Sequence, residues 1–206
     1  MQNDMVEEEE YFVKENTTAV TDNIEQLTTT RSVYIFDTID NLIIANAISQ
    51  INYLAKINSE DISIYINSNG GNVDDCFALI DIMDSCLCDI KTIVIGQAAS
   101  AACLLSSNGT HGKRYAGQNS EFLYHEMSFE ITDFKGSNIK YHKEMYDKSS
   151  KKFHDIFARN TGKNMKQIKK TFLKKGEDIW MDSQNAKKFG IIDEILSIKT
   201  RNNNAR

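Results

Sequence analysis

Three times between Ser32 and Leu105 the chain passes from a short apolar, largely β-branched run, through a polar or glycine-rich turn, into residues spaced for one face of a helix. That alternation constrains the fold more than any other feature. Val33 to Phe36 is the first strand. Asp40-Asn41 then caps a helix whose apolar stripe is Leu42, Ile43, Ala47, Ile48, Ile51, Leu54 and Ala55. Ile62 to Asn67 is the second strand, closed by Ser68-Asn69-Gly70-Gly71 and followed by a helix carrying Cys76, Leu79, Ile80, Met83 and Leu87 on one side. Thr92 to Ile95 is the third, ending at Gly96 before a helix of very small residues, Ala98 to Leu105. Small side chains through a whole helix predict close packing on every side. Strands that alternate with helices imply right-handed βαβ units and a mainly parallel sheet. Sites in such folds lie where strands end and helices begin, which selects Asn67–Gly71 and Gly96–Ser100.

Farther along, Glu121 to His125 reads as a fourth strand and Asn138 to Arg159 as a long amphipathic helix stopped at Asn160-Thr161-Gly162. A last helical pair leads to a closing strand, Ile191 to Ile195. We expect one domain over residues 31–198. A polar, acidic arm precedes it over residues 1–30, poorly ordered except for a short strand at Tyr11 to Val13. A frayed polar tail follows over 199–206.

The formal charge of −5 argues against a nucleic-acid partner. No apolar run reaches the roughly eighteen residues of a membrane span, and the acidic start around Glu7-Glu8-Glu9-Glu10 is unlike a secretory leader. Cys76, Cys86, Cys88 and Cys103 all lie in apolar-patterned segments without metal-ligand spacing, which fits reduced thiols in a cytoplasmic protein and no metal. Proline is absent altogether, so tight turns must rest on Gly, Asn, Asp and Ser.

Ser100 is the first candidate for chemistry. A serine at a helix start, just past a strand end, has unpaired N–H groups and the positive end of the helix dipole beside it, as an acyl-transfer nucleophile needs. The plainer reading is an N-cap or packing residue. Gly70 and Gly71 leave backbone N–H groups open to a ligand, either as an oxyanion donor or as an edge for an extended peptide, or they simply make a tight turn. His125, at a strand end of the same sheet, is the histidine best placed as a general base. His111 lies in a glycine-flanked loop, and His142 and His154 read as surface or packing residues of the long helix.

The order Gly96-Gln97-Ala98-Ala99-Ser100, then His125, with Tyr65-Ile66-Asn67-Ser68-Asn69-Gly70-Gly71 upstream, resembles the proteolytic subunit of the Clp protease (ClpP). Gly109 to Arg114 and Trp180 to Asp193 are similar to two further stretches of that family. The resemblance runs from about Ser32 to Ile195. It implies an α/β fold of the ClpP/crotonase type: repeated β-β-α and βαβ units, a mainly parallel sheet and a protruding handle helix. It implies a serine endopeptidase with Ser100 as nucleophile, His125 as general base and Asp178 as acid, with Glu177 as the alternative and Asp182 a more distant one. Gly71 and Ala101 match the oxyanion-hole positions. Stacked homo-oligomeric rings, polypeptide substrates and no cofactor in this chain are implied as well, any ATP being used by a partner AAA+ unfoldase.

The chain departs from the family at Glu126-Met127 after the histidine. It departs again in the following stretch, Ser128 to Gly136, which keeps a single glycine, and most of all in the arm over 1–30. Family prolines are replaced by Asn69, Met127 and Gln118, so we expect a looser substrate channel around unchanged chemistry. The alternatives are a catalytically idle structural subunit, a phage head-maturation peptidase of the same fold, and a crotonase-like acyl-CoA enzyme.

Overall fold

The computed structural model describes residues 25–128, 138–173 and 178–197. Residues 25–30 are helical and lead directly into β1. The rest of the expected arm, including Tyr11 to Val13, and the tail 199–206 lie outside the described residues.

Strands β1 (Ser32–Ile39), β2 (Ile62–Gly71) and β3 (Ile90–Ala99) lie side by side and parallel, with α1 (Asn41–Ile57) and α2 (Val73–Ser85) as the crossovers. The first helix is capped at Asp40 as the sequence predicts, and the second is capped by Asn72. Asp40 accepts from the Ile43 N–H, and Asn72 accepts from the N–H groups of Asp74 and Asp75. The sheet continues through β4 (Arg114–Ala116) to the two-residue β7 (Glu194–Ile195), both parallel. The C-terminal part of β3 pairs instead with β5 (Glu121–Leu123), and β5 pairs antiparallel with β6 (Trp180–Asp182). The architecture is thus α/β with a mainly parallel sheet, as expected.

Several elements differ from the sequence reading. Strands β2 and β3 run on through Gly70-Gly71 and Gly96 to Ala99, because glycine backbone can bulge and still pair: Gly70 and Gly71 face Thr38 and Ile39 of β1. The small-residue helix α3 therefore starts later, at Ala101–Ser107. It is buried along its whole length, as its composition requires. Leu87 does not join the apolar face of α2, which ends at Ser85, and it is 95% exposed. The short strands β4 and β6 escape a periodicity reading because three residues carry too little pattern. The expected fourth strand stops at Leu123, so Tyr124 and His125 lie just beyond it.

The long helix α4 (Ile139–Thr161) stops at Gly162, whose φ is +67°. Helices α5 (Met165–Thr171) and α6 (Ser183–Phe189) return the chain to the sheet. The core is the set of fully buried side chains such as Ile35, Ile51, Leu54, Ile64, Ile66 and Leu79. Each contributes roughly 1.5–3 kcal/mol by leaving water. One buried polar joint closes the C-terminal half. The Arg114 guanidinium donates to the Asp193 carboxylate through Nε at 2.9 Å, and through Nη1 to the carbonyls of Asn160 and Gly190 at 2.8 and 3.0 Å. Burial pushes the Asp193 carboxyl up, but the bonds from Arg114 outweigh this and hold it below the usual range. Two of the sequence motifs singled out above therefore meet in a structural ion pair. The thiols of Cys76, Cys88 and Cys103 are buried and Cys86 is half-buried, all four free. Burial pushes Cys76 up to about 12.

Candidate active site

Ser100 sits on the turn between β3 and α3 at φ +56° and ψ −123°. A residue with a side chain rarely takes this state, which stores about 1–3 kcal/mol of strain. Two fixed contacts hold it there. Its N–H donates to the Leu123 carbonyl at 2.8 Å, and its carbonyl accepts from the N–H groups of Cys103 and Leu104 at 3.0 and 3.2 Å. The side chain makes no capping bond to α3, which leaves the hydroxyl for other work. Ser100 thus occupies the N-cap position of α3 without a side-chain capping bond.

The glycine turn lies against this serine. A Cβ on Gly70 would stand 2.6 Å from the Ala99 carbonyl, 2.8 Å from the Ser100 Cβ and 3.0 Å from the Ala101 nitrogen. Only glycine permits that approach, and its φ of +92° excludes most side chains independently. The Gly70 N–H is taken up by Ser68 Oγ at 3.0 Å, whereas Gly71, the next amide along, is the one the sequence singles out. Two side-chain bonds tie the two turns together: Gln97 Nε2 donates to Asn69 Oδ1 at 2.6 Å, and the Gln97 N–H donates to Asn67 Oδ1 at 3.2 Å. The sequence reading names Gly70 without this role, and it overlooks the Asn67–Gln97–Asn69 brace. The signal was the polar Asn67-Ser68-Asn69 run, whose side chains here replace the rigidity a proline would give.

Register aligns the remaining candidates. Ala99 of β3 is opposite Leu123 of β5, and Leu123 is opposite Trp180 of β6. Ser100 directly follows β3, His125 comes shortly after β5, and Asp178 shortly before β6. The three side chains thus belong to the ends of three neighbouring strands. His125 is half-buried and Asp178 exposed. Among the described residues no hydrogen bond joins Ser100 to His125 or His125 to Asp178. Catalytic bonds are often long in a ligand-free site and tighten only with substrate. Asp182 is at the other end of β6, opposite Glu121, and its carboxylate caps α6 by accepting from the Asn185 N–H at 2.8 Å. It has a structural role and stands four residues too far along. Glu177 lies outside the described residues. Of the other histidines, His111 is exposed, and His154 packs against the site from behind, its Nδ1 hydrogen-bonded to the buried Tyr124 hydroxyl. Among the described residues no group of three His, Cys, Asp or Glu side chains could hold a metal ion, and no helix is long and apolar enough to cross a membrane.

A strained serine at a strand-to-helix turn, a glycine packed on it and a histidine just past the next strand make up the framework of a serine hydrolase. Comparison with known proteins narrows the class. The Clp protease family model matches residues 14–199. The ATP-dependent Clp protease proteolytic subunit of Streptococcus mutans is 39% identical over 160 residues, covering 76% of this chain and 79% of the relative. The ATP-dependent Clp protease proteolytic subunit 3 of Streptomyces avermitilis is 34% identical over 166 residues, covering 81% and 74%. The subunit of the same name from Lactococcus lactis is 34% identical over 151 residues. The chain belongs to the Clp protease family, and with it to the serine peptidases. The idle-subunit, head-maturation and crotonase-like readings are not favoured by these matches.

Proposed function

We propose that the chain is a serine endopeptidase in which Ser100 attacks the scissile carbonyl, His125 takes its proton and returns it to the leaving amine, and Asp178 orients the imidazole and stabilises its cation. The N–H groups of Gly71 and Ala101 receive the oxyanion. Ala101 opens α3, so its N–H has no acceptor within the helix. Water then attacks the acyl-enzyme through the same base. Loss of one oxyanion donor costs on the order of 10²–10³ in rate. The reading rests above all on the strained Ser100, whose hydroxyl makes no capping bond to α3. The relatives are named as ATP-dependent proteolytic subunits, and we extend two properties to this chain: assembly into rings, and delivery of polypeptide by a partner ATPase, with no cofactor held here.

Labelling with a serine-directed fluorophosphonate tests the reading. Intact mass should show one adduct on Ser100, absent in Ser100→Ala, with labelling strongly slowed in His125→Ala. Asp178→Asn should slow it more than Glu177→Gln. Absence of an adduct from the assembled protein would overturn the assignment of Ser100.

A further inference from the structure

A cavity of about 640 Å³ opens beside the glycine turn. Gly71, Val73 and Asp74 form one wall, and Met127, Tyr141 and Met145 form part of the other. Gly71 is the proposed oxyanion donor and Met127 is two residues past His125, so the cavity adjoins the proposed site. The far wall is completed by Tyr146, whose hydroxyl donates to the Met127 carbonyl at 3.1 Å, and by His142 and Ser149. Among the described residues that line this space, Asp74 is the only one with a formal charge at neutral pH. Among the described residues no lysine or arginine pairs with its carboxylate. Its own backbone N–H is held by Asn72 Oδ1 at 2.8 Å, which fixes the start of α2 and with it the position of the side chain.

A space with Val73, Met127 and Met145 along its walls and a carboxylate at its edge suits a long aliphatic stem ending in a cation. A leucine or methionine in the same space would gain nothing from the exposed carboxylate, so the charge favours a cationic side chain by attraction. We propose that this cavity is the primary specificity pocket, that it selects lysine or arginine on the N-terminal side of the scissile bond, and that Asp74 sets the choice. The proposal rests on the catalytic reading of Ser100.

Two diphenyl phosphonate peptides, identical except for a lysine-like or a leucine-like group next to phosphorus, are reacted with the full-length assembled protein, and the rate of Ser100 modification is followed by intact mass. The lysine probe should react about fivefold faster, the scale of one accessible charge pair. Asp74→Asn should bring the ratio close to one, and Asp74→Lys should bring it below one. Because the readout is a ratio within one preparation, a general loss of activity cancels. Equal or faster reaction of the leucine probe in the wild type, or a ratio unmoved by Asp74→Asn, overturns the proposal. Failure of both probes while a small fluorophosphonate still labels Ser100 means that the cavity does not receive this side chain, and it overturns the proposal alone. Failure of all three removes the catalytic reading, and the proposal with it.

Discussion

The two halves of α4 are built on opposite principles. The C-terminal half is locked into the domain: Phe153 and Phe157 are fully buried, and Phe157 stacks on Tyr124 with ring centroids 3.9 Å apart. Phe172 closes the cluster from α5. The N-terminal half presents Ile139, Tyr141 and Met145 to solvent at 52%, 61% and 41% exposure. A single amphipathic stripe therefore serves two surfaces, one inside this chain and one outward. The buried aromatic residues of the C-terminal half make that end of α4 a core helix. A helix that holds catalytic elements at its base and offers apolar side chains at its tip joins the site to whatever the tip touches.

The largest effects belong at the base. Phe157→Ala should lower stability by about 3–5 kcal/mol in denaturant unfolding, since a fully buried aromatic leaves a cavity that the Tyr124 and Phe172 rings cannot fill. Arg114→Met should cost a comparable ~3–5 kcal/mol, because it strands the Asp193 carboxylate and uncovers the Asn160 carbonyl at the end of α4. A loss under 1 kcal/mol in either variant would mean that the base is not the anchor of this helix.

A smaller effect depends on pH. Burial pushes the His154 imidazole below its ordinary value of 6.5, Lys169 acting in the same sense and Glu126 and Asp155 against it. The unfolded chain therefore takes up this proton at a higher pH than the folded one. The stabilisation is complete above 6.5 and is lost progressively as pH falls from there toward the folded value. Thermal midpoints measured between pH 7.5 and 5 should fall, and His154→Phe should flatten that part of the profile. Because Tyr124 immediately precedes His125, peptidase activity should fall over the same interval.

Legibility in the sequence followed the length and regularity of each element. β1 to β3, α1, α2 and α4 carry enough residues for their periodicity to show, and the cap at Asp40 falls where side-chain chemistry predicts. Ser100 and His125 were visible as strand-end residues. The strain at Ser100 was not, because nothing in Ala99-Ser100-Ala101 announces a positive φ. It follows from the pairing of β3 with β5 and from Gly70 underneath, both long-range facts. The proposed acid is the least legible residue: Asp178 stands outside any strand, just before the three-residue β6. Asp182 looked usable in sequence only because its capping bond is invisible there.

The smallest expected change in stability is at the tip of α4, and it sharpens the comparison most. Ile139→Ser and Tyr141→Ser remove exposed apolar area without opening a cavity, so each should alter unfolding free energy by no more than about 0.5 kcal/mol. Apolar side chains exposed in a row on a projecting helix mark an association surface. If rings of this chain stack through that surface, the double variant should elute in size-exclusion chromatography at about half the wild-type mass while keeping its thermal midpoint. Loss of peptidase activity in separated rings of Ile139→Ser alone, which leaves the cavity-lining Tyr141 in place, would show that the tip controls the site through the helix it shares with the base. Full activity at half mass would confine the tip to assembly, and unchanged elution would leave α4 a core helix with an idle end.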